Sequence, residues 1–121
     1  MEQCNKIIEI LKENNLSISG AESITGGLVS SEIVKVAGAS DVFRGTIVSY
    51  QSSVKINTLK VASEFIDKYT PVSIAVLSAM LDGAKALFAS DIVYAITGSA
   101  GPTSYDGIPV GLVHHCLVET L

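Results

Sequence analysis

A serine hydroxyl at a strand-to-helix junction can do one of two things: cap the helix, or attack a carbonyl carbon with backbone N–H groups as oxyanion donors. Ser23 sits at such a junction, in the run Gly20-Ala21-Glu22-Ser23-Ile24-Thr25-Gly26-Gly27. Attack requires a base, and a lysine serves only where burial or neighbouring cations push it toward the neutral form. Lys55, five residues after Tyr50, is the candidate; on residue type alone a solvated surface lysine is the simpler expectation. Glu22 is read in the same way, as the partner of a surface basic group. A second glycine-bearing loop, Thr97-Gly98-Ser99-Ala100-Gly101-Pro102, follows an apolar run. Loops of this kind at strand ends allow close backbone approach and turn free N–H groups toward an anion, so a phosphate-bearing ligand is plausible. Neither loop matches GxGxxG or GxxxxGK[ST], which removes the main support for a Rossmann-type redox domain or a P-loop. His114, His115 and Cys116 are adjacent on an expected strand and point to alternating faces, so no metal site is expected from them.

These residues need a scaffold. Cys4, Ile7, Ile8 and Leu11 recur at i, i+3, i+4 and i+7, one apolar stripe of a first helix that Asn14-Asn15 breaks. Leu16-Ser17-Ile18-Ser19 alternates as a short strand and delivers the chain to the Ser23 loop. Leu28, Val29, Ile33 and Val36 mark a second helix, with Gly38 at its end. Phe43 to Tyr50 has strand propensity and the segment beyond it turns helical through Leu59. Thr70-Pro71 starts the longest helix, capped by Thr70 or Ser73 and carrying Val72, Val76, Met80, Ala84, Leu87 and Phe88 at helical spacing. Ile92 to Thr97 reads as a buried central strand, and Pro109 to Val118 as a last one. Strands alternating with helices predict an α/β fold, a three-layer domain with a mixed sheet and helices on both faces.

The chain has 121 residues, 48% of them hydrophobic, enough for one core and too few for two ordinary domains. A formal net charge of −4 provides no basic field for a nucleic-acid backbone, so no nucleic acid is expected as a partner. No apolar run approaches the roughly 20 residues of a spanning helix, and the N-terminal segment lacks the order of a signal peptide. Two cysteines, Cys4 and Cys116, lack CxxC spacing and suit a reducing compartment, so a cytoplasmic location is expected.

Taken together, Ala21 to Leu28, then Phe43 to Tyr50 with Lys55, then Thr97 to Pro102, then Pro109-Val110-Gly111 resemble the CinA C-terminal domain family in order and spacing. The resemblance implies hydrolysis of the carboxamide of nicotinamide mononucleotide to the acid with release of ammonia, without a cofactor. It implies Ser23 as nucleophile, Lys55 as its base, Tyr50 as a hydrogen-bonding partner and Thr97 as a ligand or transition-state contact. Thr25, Gly26, Gly27, Ser99, Ala100 and Gly101 would line the pocket for a small nucleotide substrate.

Two departures stand against that pattern. Ser52 occupies a position where the resemblance leads one to expect asparagine, and the family pattern runs on into a further strand and a final helix, a region that carries an arginine. Residues 1–121 are thus expected to form one domain without those last elements, with Arg44 as its sole arginine. An uncovered apolar sheet face predicts a homo-oligomer. The alternative expectation is a catalytically silent relative that keeps nucleotide binding or oligomerisation only.

Overall fold

Helix α1 (Glu2–Glu13) carries an acid in its first turn and Lys12 in its last, each at the end of the helix dipole that favours it. Asn15 adopts φ 54°, and the Leu16 N–H closes the helix end on the Leu11 carbonyl. The chain continues as β1 (Ile18–Glu22), α2 (Leu28–Val34), a 3₁₀ turn (Ala39–Asp41), β2 (Phe43–Val48) and α3 (Ser52–Asn57). It ends with α4 (Ser63–Tyr69), α5 (Ile74–Phe88), β3 (Ile92–Gly98) and β4 (Val113–Glu119). The structure, a computed structural model, describes residues 2–102 and 107–119.

The four strands lie in the order β2-β1-β3-β4. Strand β1 is parallel to both neighbours and β4 is antiparallel to β3, so the sheet is mixed as expected. From β1 the chain steps one way to β2 through α2, then back past β1 to β3 through α3, α4 and α5. Right-handed crossovers that set off in opposite directions put their helices on opposite faces, and the core divides accordingly. On one face Leu59, Val61, Val76, Met80 and Ala84 pack on Ala21, Val93 and Ala95. On the other, Ile8, Leu11, Ile33, Val36 and Val42 pack around Ile18 and Tyr94.

Several boundaries move from their expected places. Strand β1 extends through Gly20, Ala21 and Glu22, which the sequence reading put in the loop; all five of its residues are buried. Gly20 pairs with Tyr94 on β3, and a Cβ there would lie 2.2 Å from the tyrosine ring, so the missing side chain is what lets the ring cross β1. Helix α5 begins at Ile74 with Ser73 as its cap, accepting from the Val76 N–H at 3.1 Å. Its last carbonyls, Phe88 and Ala89, accept from Arg44 Nη1 at 2.8 and 3.0 Å. Strand β4 begins at Val113 because Pro109 to Leu112 is a turn, closed by the Leu112 N–H on the Pro109 carbonyl. Helix α4 is an element that the residue pattern does not predict. Among the described residues, no helix is long and apolar enough to cross a membrane.

Candidate active site

In an open α/β sheet the ligand crevice lies outside the carboxyl ends of the strands, where the order reverses. Here the reversal falls at β1, flanked by β2 and β3. The residues just past those three ends are Ser23, Ser49 with Tyr50, and Ser99 with Ala100, and a cleft of about 280 Å³ opens between them. Ser23, Ile24, Tyr50, Lys55, Thr97 and Ser99 are on its wall, with Pro71 and Val72 from the approach to α5.

At the floor, Lys55 Nζ is 2.9 Å from Ser23 Oγ and donates to the Ser49 carbonyl at 2.6 Å. Lys55 is 1% exposed, so the expectation of a solvated surface lysine is corrected. Its place in the short helix α3, directly after β2, turns the side chain back under the end of the sheet. Its first-turn neighbours are uncharged, and burial draws its pKa down from 10.5 to about 8. A neutral lysine amine has two N–H groups and one lone pair. With one N–H held by the Ser49 carbonyl, the lone pair is free to accept the Ser23 hydroxyl proton.

The remaining site residues fall into two groups. Thr97 and Ser99 are buried in the cleft wall; Thr97 Oγ1 donates to the Pro71 carbonyl at 2.9 Å, and Ser99 Oγ has no hydrogen-bond partner among the described residues. Ala100 and Gly101 share that wall, and Tyr50 stands at its rim, 69% exposed. Thr25, Gly26 and Gly27 are not brought to the wall. Thr25 Oγ1 donates instead to Glu22 Oε1 at 2.7 Å, and among the described residues nothing beyond its chain neighbours lies within 4 Å of a Cβ built on Gly26. Ser52, the departure noted in the sequence, does reach the cleft.

Glu22 corrects a second expectation. It is fully buried rather than paired with a surface base, and accepts from the Val29 and Ser30 N–H groups, Thr25 Oγ1 and Tyr94 Oη. Burial pushes its carboxyl up, but the hydrogen bonds from Tyr94, Thr25, Ser30 and Val29 outweigh that and hold it below the usual carboxylate range. The signal available in the sequence was position: an acid at the end of a strand, seven and eight residues before two N–H groups of the next helix. On β4, His114 pairs with Thr97 and His115 with Ile96, on opposite faces, and no group of metal-binding side chains forms among the described residues.

The family model for the CinA C-terminal domain matches residues 2–120. The chain belongs to the CinA C-terminal domain family. A CinA-like protein of Pseudothermotoga lettingae is 42% identical over 112 residues, covering 92% of this chain and 28% of the relative. A CinA-like protein of Thermotoga neapolitana is 42% identical over 114 residues, again spanning 28% of the relative. This CinA domain therefore spans a little over a quarter of the length of the curated relatives it matches. Among solved structures, competence damage-inducible protein A of Klebsiella pneumoniae superposes with a TM-score of 0.94 at 28% identity, covering 98% of this chain and 74% of that one. The competence/damage inducible protein of Agrobacterium tumefaciens superposes at 0.93 with 32% identity, covering 98% and 73%.

Proposed function

We propose that this CinA domain is a serine amidohydrolase acting on the carboxamide of a pyridine mononucleotide, nicotinamide mononucleotide being the substrate the family resemblance implies. The observation that carries the reading is the buried contact of 2.9 Å between Lys55 Nζ and Ser23 Oγ at the sheet's switch point. Neutral Lys55 takes the hydroxyl proton as Ser23 Oγ attacks the amide carbon. The Lys55 ammonium then protonates the departing nitrogen, ammonia leaves, and an ester to Ser23 remains. Water, losing its proton to Lys55, cleaves that ester, releasing the acid and restoring the serine. The net reaction consumes one amide and one water and yields one carboxylic acid and ammonia. Ser99 Oγ and the backbone of Ala100 and Gly101 are the groups available for the polar part of the ligand, and Thr97 bounds the same wall.

Ammonia release from nicotinamide mononucleotide by the purified chain, with Ser23→Ala as control, tests the reading. Turnover lost in the variant supports it, and no turnover at high enzyme concentration sinks it. The competing reading, a silent nucleotide-binding relative, is favoured by the position of the sole arginine. Arg44 is engaged with α5 carbonyls at the opposite end of β2 and brings no guanidinium to the cleft. We also take the working form to be a cytoplasmic homo-oligomer. An apolar groove between α1, α2 and β4, with Ile7, Leu28 and Leu117 exposed along it, supports the oligomer, and a monomer mass in light scattering at micromolar concentration would contradict it.

A further inference from the structure

The proposed chemistry uses Ser23 and Lys55 and leaves a buried carboxylate next to them without a task. Side chains alternate along a strand. Ala21 packs on the α5 face, while Ile18 and Gly20 lie on the α1 and α2 face with Tyr94. Glu22 shares the second face, where its carboxylate meets Tyr94 and the start of α2. Ser23 points the other way, to Lys55. Glu22 therefore does not reach the reacting atoms, and anything it does for the chemistry passes through the backbone.

Both ends of residue 22 are tied. Its carboxylate divides four donors evenly: Oε1 accepts from Thr25 Oγ1 (2.7 Å) and the Val29 N–H (3.0 Å), and Oε2 from the Ser30 N–H (2.9 Å) and Tyr94 Oη (2.7 Å). Its carbonyl accepts from the Ser49 N–H at 2.7 Å and Ser49 Oγ at 3.2 Å. The Ser49 carbonyl in turn accepts from Lys55 Nζ at 2.6 Å. One continuous set of hydrogen bonds thus runs from β3 and α2, through Glu22, to the strand end that carries the nucleophile and to the carbonyl that holds the base. We propose that Glu22 is a positioning residue that keeps Ser23 and Lys55 at reaction distance from the opposite face of the sheet. The inference rests on the reading of that pair as nucleophile and base.

Glu22→Gln is the sharp probe. Whichever way the amide is turned, its NH₂ faces one of the two backbone N–H groups, of Val29 or of Ser30, and a backbone donor cannot rotate away. The test combines a crystal structure of the variant with the rate of Ser23 labelling by a fluorophosphonate, a reagent that reports nucleophile activation without any amide substrate. The expected result is a folded variant in which Lys55 Nζ and Ser23 Oγ have parted beyond hydrogen-bond reach and labelling slows about 10²-fold, the order expected of a misplaced reacting group. Arg44→Ala, which loosens the far end of α5, is the control for simple loss of stability and should leave both readouts unchanged. A pair still in contact in Glu22→Gln overturns the inference, whatever the labelling rate. A parted pair in the variant with a wild type that never labels upholds the positioning role and overturns the amidohydrolase reading. If Glu22→Gln does not fold, Tyr94→Phe, which removes one donor from the carboxylate, takes its place. A smaller separation with smaller slowing is then expected, and an unchanged pair overturns the inference.

Discussion

Replacing Lys55 by methionine removes the titrating group and keeps much of its length, and the consequence for stability can be worked from the burial of Lys55. In the folded protein burial brings Lys55 down to about 8, against an ordinary lysine value of 10.5. Below pH 8 both states carry the proton, and the folded state bears the full cost of a buried ammonium. Between pH 8 and 10.5 the unfolded chain binds more protons than the folded one, so wild-type stability rises with pH; above 10.5 both are neutral and the contribution is constant. At about 1.4 kcal/mol per pH unit, the drop corresponds to about 3 kcal/mol. Tyr94 works in the opposite sense: burial first, and the Glu22 carboxylate after it, raise its pKa above the ordinary phenol value of 10.0, so its contribution falls as the unfolded phenol ionises. That term is common to wild type and Lys55→Met and cancels in their difference. The measurement is urea unfolding of both proteins by circular dichroism from pH 7 to 11. The expected outcome is a difference in unfolding free energy that moves about 3 kcal/mol in favour of wild type between pH 8 and 10.5, whatever its sign at pH 7. A difference flat across that window would refute the reasoning, because Lys55 would then titrate in its ordinary range and offer no neutral amine near pH 7.

The same pKa sets the rate profile: turnover or labelling at Ser23 should rise tenfold per pH unit and level off near pH 8, with Lys55→Met removing the limb altogether. Gly83→Ala sets helix propensity, which favours alanine by about 1 kcal/mol, against a Cβ placed 2.1 Å from the Leu59 carbonyl. The clash is with backbone and should win, lowering the unfolding free energy; a stabilised variant would show that α5 can shift away from Leu59. Ser73→Ala removes the cap on the Val76 N–H and should cost about 1 kcal/mol in denaturant unfolding, whereas no loss would mean another acceptor replaces it.

What the sequence disclosed about this domain, and what it hid, divides along physical lines. Periodicity exposed the elements that bury one consistent face: α1, the body of α5, and the apolar run of β3. It placed the end of β1 too early, because Gly20 and Glu22 look like loop residues until their partners are known. Gly20 is strand because the Tyr94 ring needs its space, and Glu22 is strand because four donors on α2, its preceding turn and β3 satisfy it. Helix α4 escaped because it contributes no fully buried residue and so has no clear stripe. Of the site, the position of Ser23 was legible as a junction. The burial of Lys55 was not, since it is created by the return of α3 beneath strand ends that are distant in sequence.

The burial of Lys55 bears on why the candidate site sits where it does. A buried lysine on its own is a liability of several kcal/mol, and a buried glutamate is another. The usual remedy is to pair them, yet a salt bridge would stabilise the ammonium and suppress the neutral amine that a base requires. Here the sheet keeps them apart, with the carboxylate satisfied on one face by four hydrogen bonds and the lysine left on the other with a carbonyl and a hydroxyl. Alternation along a single strand, residue 22 to one side and residue 23 to the other, is enough to accomplish the separation. A variant that let the two charges meet would be expected to gain stability and lose its base.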